Sequence, residues 1–306
     1  MTFIDVLKNH DVELMKEIPK GDLHNHITRG GNKKYIENWS GKTIPNCPKF
    51  NSLDEMNDWN QKHIKPLLQG REGYEKRLEA SFVQAQMDGV KVLHMSVSIG
   101  EELFYDNSVE ALVKNLKRIH RTYAPDIKFV PEIAGCTFMN PDEMDYRLEP
   151  FLDQSYFESF DLYGDEYAVT SYTKLYKKLR SKGLILKAHV GEFGSAELVR
   201  EAVDALELDH VQHGIAASTS KEVMTYLRDN HIQLNVCPTS NVLLSRVQDY
   251  ESHPIRTLYD NGIKVTVNSD DMLIFNQSVS DEYFNLYHAG LFSPEEMNDI
   301  RKNSFL

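Results

Sequence analysis

Four short segments of this chain carry side chains whose types and spacing suit a metal ion. His24 and His26 stand two positions apart in an extended run, so both imidazoles point to the same face of a strand. Two imidazoles on one rigid element suit a divalent ion such as zinc. The other segments are His189-Val190-Gly191-Glu192, Gln212-His213-Gly214 and Asn268-Ser269-Asp270-Asp271. Together the four segments predict a metal centre.

The predicted ligands are three imidazoles and one carboxylate, from His24, His26, His189 and Asp270. Such nitrogen and oxygen atoms are acceptable zinc ligands at about 2.0–2.2 Å. Because a catalytic zinc usually has one protein ligand fewer, a bound water would make this site five-coordinate. Zinc lowers the pKa of that water toward about 7, which makes it a nucleophile at neutral pH. We therefore predict a metal-dependent hydrolase.

The remaining polar residues of these segments are candidates for proton transfer and substrate binding. His213 and Asp270 are candidates to position the attacking water and to take its proton. Glu192, three residues after His189, is a candidate to protonate the electrophile, although a carboxylate in the first turn of a helix is the alternative. Asp271 must point away from Asp270, so we expect it to face the substrate.

Apolar, β-branched runs alternate along the chain with segments of helical spacing, which indicates parallel βα units. The predicted strands are Gly21–His26, Lys91–Ile99, Ile127–Ala134, Phe157–Tyr163, Leu184–Val190, His210–Ile215, Ile232–Cys237 and Ile263–Asn268. The predicted helices are Tyr74–Asp88, Ser108–Tyr123, Ser195–Leu206, Lys221–Asn230 and Pro254–Asn261.

Eight strands are the number that closes into a barrel, so the predicted fold is an α/β (β/α)8 TIM barrel. An open doubly wound sheet is the alternative, but no GxGxxG or phosphate loop follows the first strand. The candidate residues lie at or just past the C-terminal ends of strands one, five, six and eight. A barrel brings those ends to one mouth, where enzymes of this fold keep their active sites.

Residues 27–70 interrupt the alternation and are too many for a simple βα loop. We expect an inserted lid or wall over the mouth, partly helical near Leu53 to Trp59. A surface excursion without function is the alternative. The whole chain, residues 1–306, is expected to form a single domain.

Composition disfavours several other classes of protein. The net charge is −12, from 34 basic and 46 acidic residues, and no dense basic run is present, so we expect neither nucleic acid nor a membrane as partner. Without a signal-peptide pattern, the expected location is the cytoplasm. The cysteines Cys47, Cys136 and Cys237 are far apart and odd in number, so we expect neither a disulfide nor a thiolate metal site.

Motifs of the form HxH, HxGE, HG, CPTSN and SDD follow one another in this order and resemble those of the adenosine deaminase family, in the amidohydrolase barrel superfamily. The resemblance runs from about Ile18 to Phe305. It implies one zinc ion on the four predicted ligands, Glu192 as proton donor to purine N1, and His213 orienting the zinc hydroxide. It further implies substrate contacts from Asp271 to purine N7 and from the Gly164 amide to purine N3.

The reaction that the resemblance implies is hydrolytic deamination of a 6-aminopurine, with attack at C6 and loss of ammonia. We predict conversion of adenosine or deoxyadenosine to inosine or deoxyinosine in purine salvage, with His26 among the substrate contacts. Strand four contains no lysine, so a carboxylated lysine bridging two metals is not expected. Lys187, in strand five, is interpreted as structural.

Two positions depart from the family pattern and leave the substrate open. The family usually has an acid after its HxHL, which helps to bind ribose or to select the free base; Thr28 stands there in this chain. Thr28 can hydrogen-bond a hydroxyl but carries no charge. Arg29 either favours an anionic or phosphorylated substrate or is a solvated loop residue. The alternatives are therefore free adenine, an N6-substituted adenine or another aminopurine. Outside this chemistry, a non-deaminating metal-dependent hydrolase and a non-catalytic binding protein remain.

Overall fold

The computed structural model describes residues 1–305, which form one sheet of eight parallel strands paired in chain order. The strands are β1 Lys20–His26, β2 Val90–Ser98, β3 Lys128–Cys136, β4 Ser159–Tyr163, β5 Ile185–Val190, β6 His210–His213, β7 Gln233–Val236 and β8 Val265–Val267. A parallel bridge from Asn25 in β1 to Asp270, just after β8, joins the two edges of the sheet. The predicted TIM barrel is confirmed, and each predicted strand end lies within two residues of the observed one.

Helices surround this barrel on the outside. Those present in the described residues are α1 Phe3–Lys8, α2 Val12–Glu17, α3 Lys33–Ser40, α4 Leu53–His63, α5 Gly70–Met87, α6 Val109–Tyr123, α7 Pro141–Leu152, α8 Thr173–Ser181, α9 Ala196–Leu206, α10 Lys221–Asp229, α11 Pro238–Leu243, α12 Ile255–Asp260, α13 Met272–Phe275, α14 Val279–His288 and α15 Pro294–Asn303. Short 3-10 helices cover Lys65–Leu67, Glu101–Tyr105, Glu166–Tyr172 and Ile215–Thr219. All five predicted helices are present; within residues 1–305, no helix has the length and apolar character needed to cross a membrane.

Helix α9 shows why these segments are helical. The Ser195 hydroxyl accepts a hydrogen bond from the Leu198 amide and so caps the first turn. Val199, Ala202 and Leu206 recur at helical spacing and are buried against the barrel. The helix therefore combines a sequence-encoded start with one apolar face that packs on the sheet.

The insertion between β1 and α5 has two helices, of which the sequence predicted one. Helix α4 begins at Leu53 as expected and continues to His63, whereas α3 was not predicted. The apolar side chains of the insertion form a hydrophobic cluster separate from the main core, packed on residues that follow β7 and β8. The cluster consists of Ile36, Ile44, Phe50, Met56, Ile64, Leu68, Ala80, Leu244, Leu273, Ile274 and Phe275. Whether this segment opens and closes as a lid stays a prediction.

A fully buried ion pair lies inside the barrel. Lys187 stands two residues before the end-of-strand His189 and so points to the same interior face of β5. Its ammonium lies 2.8 Å from a Glu132 oxygen and 2.9 Å from His94 Nδ1, and it donates to the Leu23 carbonyl at 3.0 Å. Because a buried charge needs partners, these contacts tie β5 to β1, β2 and β3.

We predict that Lys187→Met destabilises the fold, because it leaves the Glu132 carboxylate buried without its cation. Removing one partner of a buried pair costs about 3–5 kcal/mol. Urea unfolding should show this loss, whereas Lys177→Met, on the exposed face of α8, should change stability by less than about 0.5 kcal/mol. Equal stability of the two variants would contradict the structural role of Lys187.

Candidate active site

Five side chains from four strand ends converge at the C-terminal mouth of the barrel. The Nε2 atoms of His24 and His189 lie 3.0 Å apart. Asp270 Oδ1 lies 3.2 Å from His26 Nε2 and 3.7 Å from His24 Nε2. On its other side, Asp270 Oδ2 lies 3.9 Å from His213 Nε2. The structure thus brings together the four predicted ligands and His213, although they are up to 246 positions apart (270 − 24) in the chain.

The second ring nitrogen of each of the three candidate histidine ligands faces a polar partner. His24 Nδ1 lies 3.3 Å from the Asn235 carbonyl, His26 Nδ1 lies 2.9 Å from the Ser96 hydroxyl, and His189 Nδ1 lies 3.1 Å from the Asp161 carboxylate. Such partners fix the orientation of the imidazole ring and leave Nε2 free to bind a metal. Ser96 and Asp161 were missed at the sequence level; their places at the ends of β2 and β4 are the signal that could have found them.

This donor set fits a divalent ion. The three histidines each offer a nitrogen within 4.8 Å of the others, compatible with ligands about 2.0–2.1 Å from one cation. Burial raises the pKa of Asp270, but the hydrogen bond from His26 and the nearby histidines outweigh it and hold that pKa well below the usual range. Burial keeps the pKa of His24 well below its ordinary value. The carboxylate is therefore ionised and this imidazole neutral, as metal ligands must be.

Glu192 and His213 form a second pair beside these ligands. Glu192 Oε2 lies 3.5 Å from His213 Nε2. Burial, and then the negative charge of Asp270, raise the pKa of Glu192 well above its ordinary value, whereas burial lowers the pKa of His213 to about 3. The side-chain nitrogen of Asn241 lies 3.2 Å from His213 Nδ1 and 3.5 Å from Glu192 Oε1. Burial thus favours the protonated form of Glu192 and the neutral form of His213, and the two side chains face each other.

Glu166 holds the loop that carries Glu192. Its carboxylate accepts hydrogen bonds from the backbone amides of four successive residues, at 2.6, 3.1, 2.8 and 3.0 Å for Gly191, Glu192, Phe193 and Gly194. Four donors on one carboxylate fix the backbone on which the Glu192 side chain stands. No role was predicted for Glu166, although it ends the same Asp-Leu-Tyr-Gly-Asp-Glu run that contains Gly164.

Two of these residues have left-handed backbone conformations. The φ angles of His213 and Asp270 are 62° and 56°, a region that non-glycine residues rarely occupy. Such conformations cost about 1–3 kcal/mol each and persist only where the surroundings impose them. In both residues the conformation turns a side chain into the mouth just where a strand ends.

The cavity between these residues encloses about 60 Å³, space for roughly five water molecules. Its lining residues are His26, Arg29, Leu53, Met56, Tyr163, Gly164, Glu166, His189, Glu192, Phe193, His213, Leu244, Asp270, Asp271 and Phe275. Asp271 and Gly164 are both among these lining residues, and their contacts with a substrate stay a prediction. Leu53 and Met56 of α4 make the insertion a wall of the cavity.

The residues after β1 are arranged differently from the sequence expectation. Thr28, a predicted substrate contact, is not among the cavity-lining residues of the described chain. Arg29 does line the cavity, and its Nη1 lies 3.1 Å from Asp271 Oδ2. Its side chain is 26% exposed, so the interpretation of Arg29 as a solvated loop residue is wrong.

Gly164 is required by the close packing of its backbone. Its φ angle is 117°, and a Cβ there would lie 2.4 Å from Thr137 Oγ1. Any larger residue would push the chain away from β3. The Gly164 amide is thereby held at the cavity wall.

The fold and the convergent histidines define a barrel hydrolase of the amidohydrolase type. The family model described as adenosine deaminase matches residues 92–305. A candidate adenosine/adenine deaminase from Treponema pallidum is 32% identical over 285 residues, covering 92% of this chain and 95% of that protein. This chain belongs to the adenosine deaminase family and is a deaminase enzyme.

Two solved structures have the same fold. The adenine deaminase of Arthrobacter aurescens superposes with a TM-score of 0.81 at 24% identity, covering 94% of this chain and 92% of that one. An amidohydrolase from Burkholderia ambifaria, solved with bound zinc, has a TM-score of 0.76 at 20% identity and covers 96% and 86%. Deaminases of this type depend on a metal ion.

We predict that Glu166→Gln loosens the loop of residues 191–194, because an amide side chain cannot accept all four hydrogen bonds as a carboxylate does. Hydrogen–deuterium exchange of these four amides should become at least about tenfold faster. Glu201→Gln, on the exposed face of α9, is the matched control and should leave exchange in the loop unchanged. Unchanged protection in Glu166→Gln would contradict the role assigned to this carboxylate.

Proposed function

We propose that this chain catalyses zinc-dependent hydrolytic deamination of a 6-aminopurine, converting adenosine or deoxyadenosine to the inosine form with release of ammonia. The observation that carries the proposal is the meeting of His24, His26, His189 and Asp270 beside the buried Glu192, whose pKa burial raises. Ester or amide hydrolysis at the same metal would not need that acid at this place.

Zinc would be held by the three imidazoles and Asp270, and when bound it supplies a water activated at neutral pH. His213, 3.9 Å from Asp270, would orient this water, and the two side chains would accept its proton. Glu192 would donate its proton to purine N1 during the attack at C6. The proton taken from the water would then pass to the amino nitrogen, so that the C6–N bond breaks with loss of ammonia. The remaining hydroxyl proton at C6 would return to Glu192 as the product carbonyl forms.

Other contacts would hold the purine ring in place. The Gly164 amide would donate to purine N3, and Asp271 would lie at the N7 edge. Leu53, Met56 and Phe275 would cover the ring on the side of the insertion.

Free adenine is the second candidate, supported by the loss of the family's acid at Thr28 and by the description of the Treponema pallidum relative as an adenosine/adenine deaminase. We propose a small-molecule purine as the partner of the site and the cytoplasm as its location. The test is a panel of adenine, N6-methyladenine, adenosine and deoxyadenosine, assayed by the ultraviolet change on loss of the amino group and by ammonia release. If none of these aminopurines releases ammonia from the zinc-loaded enzyme, the proposed function is wrong.

We predict that Glu192→Gln retains purine and metal but loses turnover, because the amide keeps the shape and cannot donate the proton. The expected fall in kcat is about 10²- to 10⁴-fold. Glu197→Gln, an exposed carboxylate five positions on in α9, is the control and should keep full activity. A loss of less than about fivefold in Glu192→Gln would remove Glu192 from its assigned role.

We predict about one equivalent of zinc or a similar divalent ion per chain. His189→Ala should lower the metal content strongly, because it removes one of the three converging imidazoles. His288→Ala, on the exposed end of α14, should bind metal as the unaltered protein does. Elemental analysis measures both, and full activity in a metal-free preparation would reject the site.

A further inference from the structure

Arg29 is a cavity residue whose charge the proposed reaction does not use. Its guanidinium has five N–H donors, but within residues 1–305 its charged contact is the one with Asp271 Oδ2 at 3.1 Å. The backbone of Arg29 is fixed on both sides, since its amide donates to the His26 carbonyl at 2.8 Å and its carbonyl accepts from Leu273 at 2.6 Å. The side chain therefore projects from a rigid turn into the cavity wall.

Two further cationic groups, Lys65 of the insertion and Arg77 of α5, lie near Arg29. Burial, followed by the charges of Arg29 and Arg77, lowers the pKa of Lys65. Arg77 stacks on the Tyr74 ring, with its guanidinium carbon 5.6 Å from the ring centre, and its buried Nε has no hydrogen-bond partner. Three cations thus share one region of a protein whose net charge is −12.

Three carboxylates lie near Arg29. Asp271 contacts its guanidinium directly, and the charges of Asp270 and Glu101 also favour the protonated form of Arg29, so that its pKa is raised despite burial. Asp270 lies against the histidines, and Glu101 accepts a hydrogen bond from the Tyr74 hydroxyl at 2.8 Å. The family's acid that would stand at Thr28 is absent. Asp271 is therefore the carboxylate that competes directly for the Arg29 guanidinium.

Resting on the proposed function, we propose that Arg29 is a specificity-determining residue that binds a phosphate group of the substrate, so that the preferred 6-aminopurine is a nucleoside monophosphate. In this structure the guanidinium is paired with Asp271, at the edge where the purine ring would bind. A phosphate gives Arg29 a bidentate partner in place of Asp271. Asp271 is then released to the purine. A neutral substrate has no group that can replace Asp271 as the partner of Arg29. Such a substrate must therefore compete with Arg29 for the Asp271 carboxylate.

The test compares adenosine 5′-monophosphate, adenosine and adenine with the zinc-loaded enzyme. The expected kcat/KM is at least about tenfold higher for the monophosphate, and the difference should shrink as salt concentration rises. Arg29→Gln should raise KM for the monophosphate about tenfold to a hundredfold with little change in kcat. The KM for adenosine should not rise, because this variant removes the partner with which adenosine competes for Asp271.

Two further variants sharpen this test. Arg29→Lys keeps the charge without the planar fork and should give an intermediate KM for the monophosphate. Arg71→Gln, an exposed arginine of α5 paired with Glu75, is the matched control and should behave as the unaltered enzyme. Thermal unfolding of each variant separates a folding defect from a binding defect.

Calorimetric binding of the monophosphate to the metal-free protein separates this inference from the proposed function. If no purine is deaminated but the monophosphate binds and Arg29→Gln weakens it, the deaminase proposal fails and the phosphate site stands. If adenosine or adenine is deaminated faster than the monophosphate, and Arg29→Gln leaves their ratio unchanged, the phosphate site is overturned while the deaminase proposal survives.

Discussion

The candidate site depends on one geometric constraint: three imidazole rings must present their Nε2 atoms to the same point. A free histidine ring can rotate, so the constraint is met by what lies behind each ring. Asp161, Ser96 and the Asn235 carbonyl each occupy an Nδ1 position, and these partners come from three further strands of the barrel. Ser96 and Asp161 lie on strands next to those of His26 and His189, but Asn235 of β7 reaches His24 of β1 only because the sheet closes. Closure also brings His24 and His26 of β1 to His189 of β5.

Buried carboxylates act in different ways within this arrangement. Hydrogen-bonding and neighbouring histidine groups favour the ionised form of Asp270, whereas burial and the charge of Asp270 favour the protonated form of Glu192. Glu166, a third carboxylate, accepts hydrogen bonds from four backbone amides and positions Glu192 through them. The same functional group thus serves as candidate ligand, proton donor and loop anchor, and the environment decides which.

The sequence predicted the barrel and the five converging residues well because both depend on local signals. Strand runs and motif positions such as His24-Asn25-His26 require no knowledge of distant contacts. Asp161, Ser96 and Glu166 were missed because their roles arise from partners 28, 70 and 25 or more positions away. The two interpretations of Arg29 stayed open for the same reason, since its pairing with Asp271 forms only when the barrel closes. Helix α3 was missed because its sequence is polar and buries a single residue, Ile36.

The insertion carries its own hydrophobic cluster, which touches the barrel mainly through residues after β7 and β8. Substitutions in this cluster can reshape the approach to the metal centre without disturbing the core that holds the ligands. Substitutions in the insertion can therefore change substrate selection while the core that holds the metal ligands stays unchanged. In such an architecture, we expect related sequences with an intact set of ligands to differ in their substrates before they differ in the reaction that they catalyse.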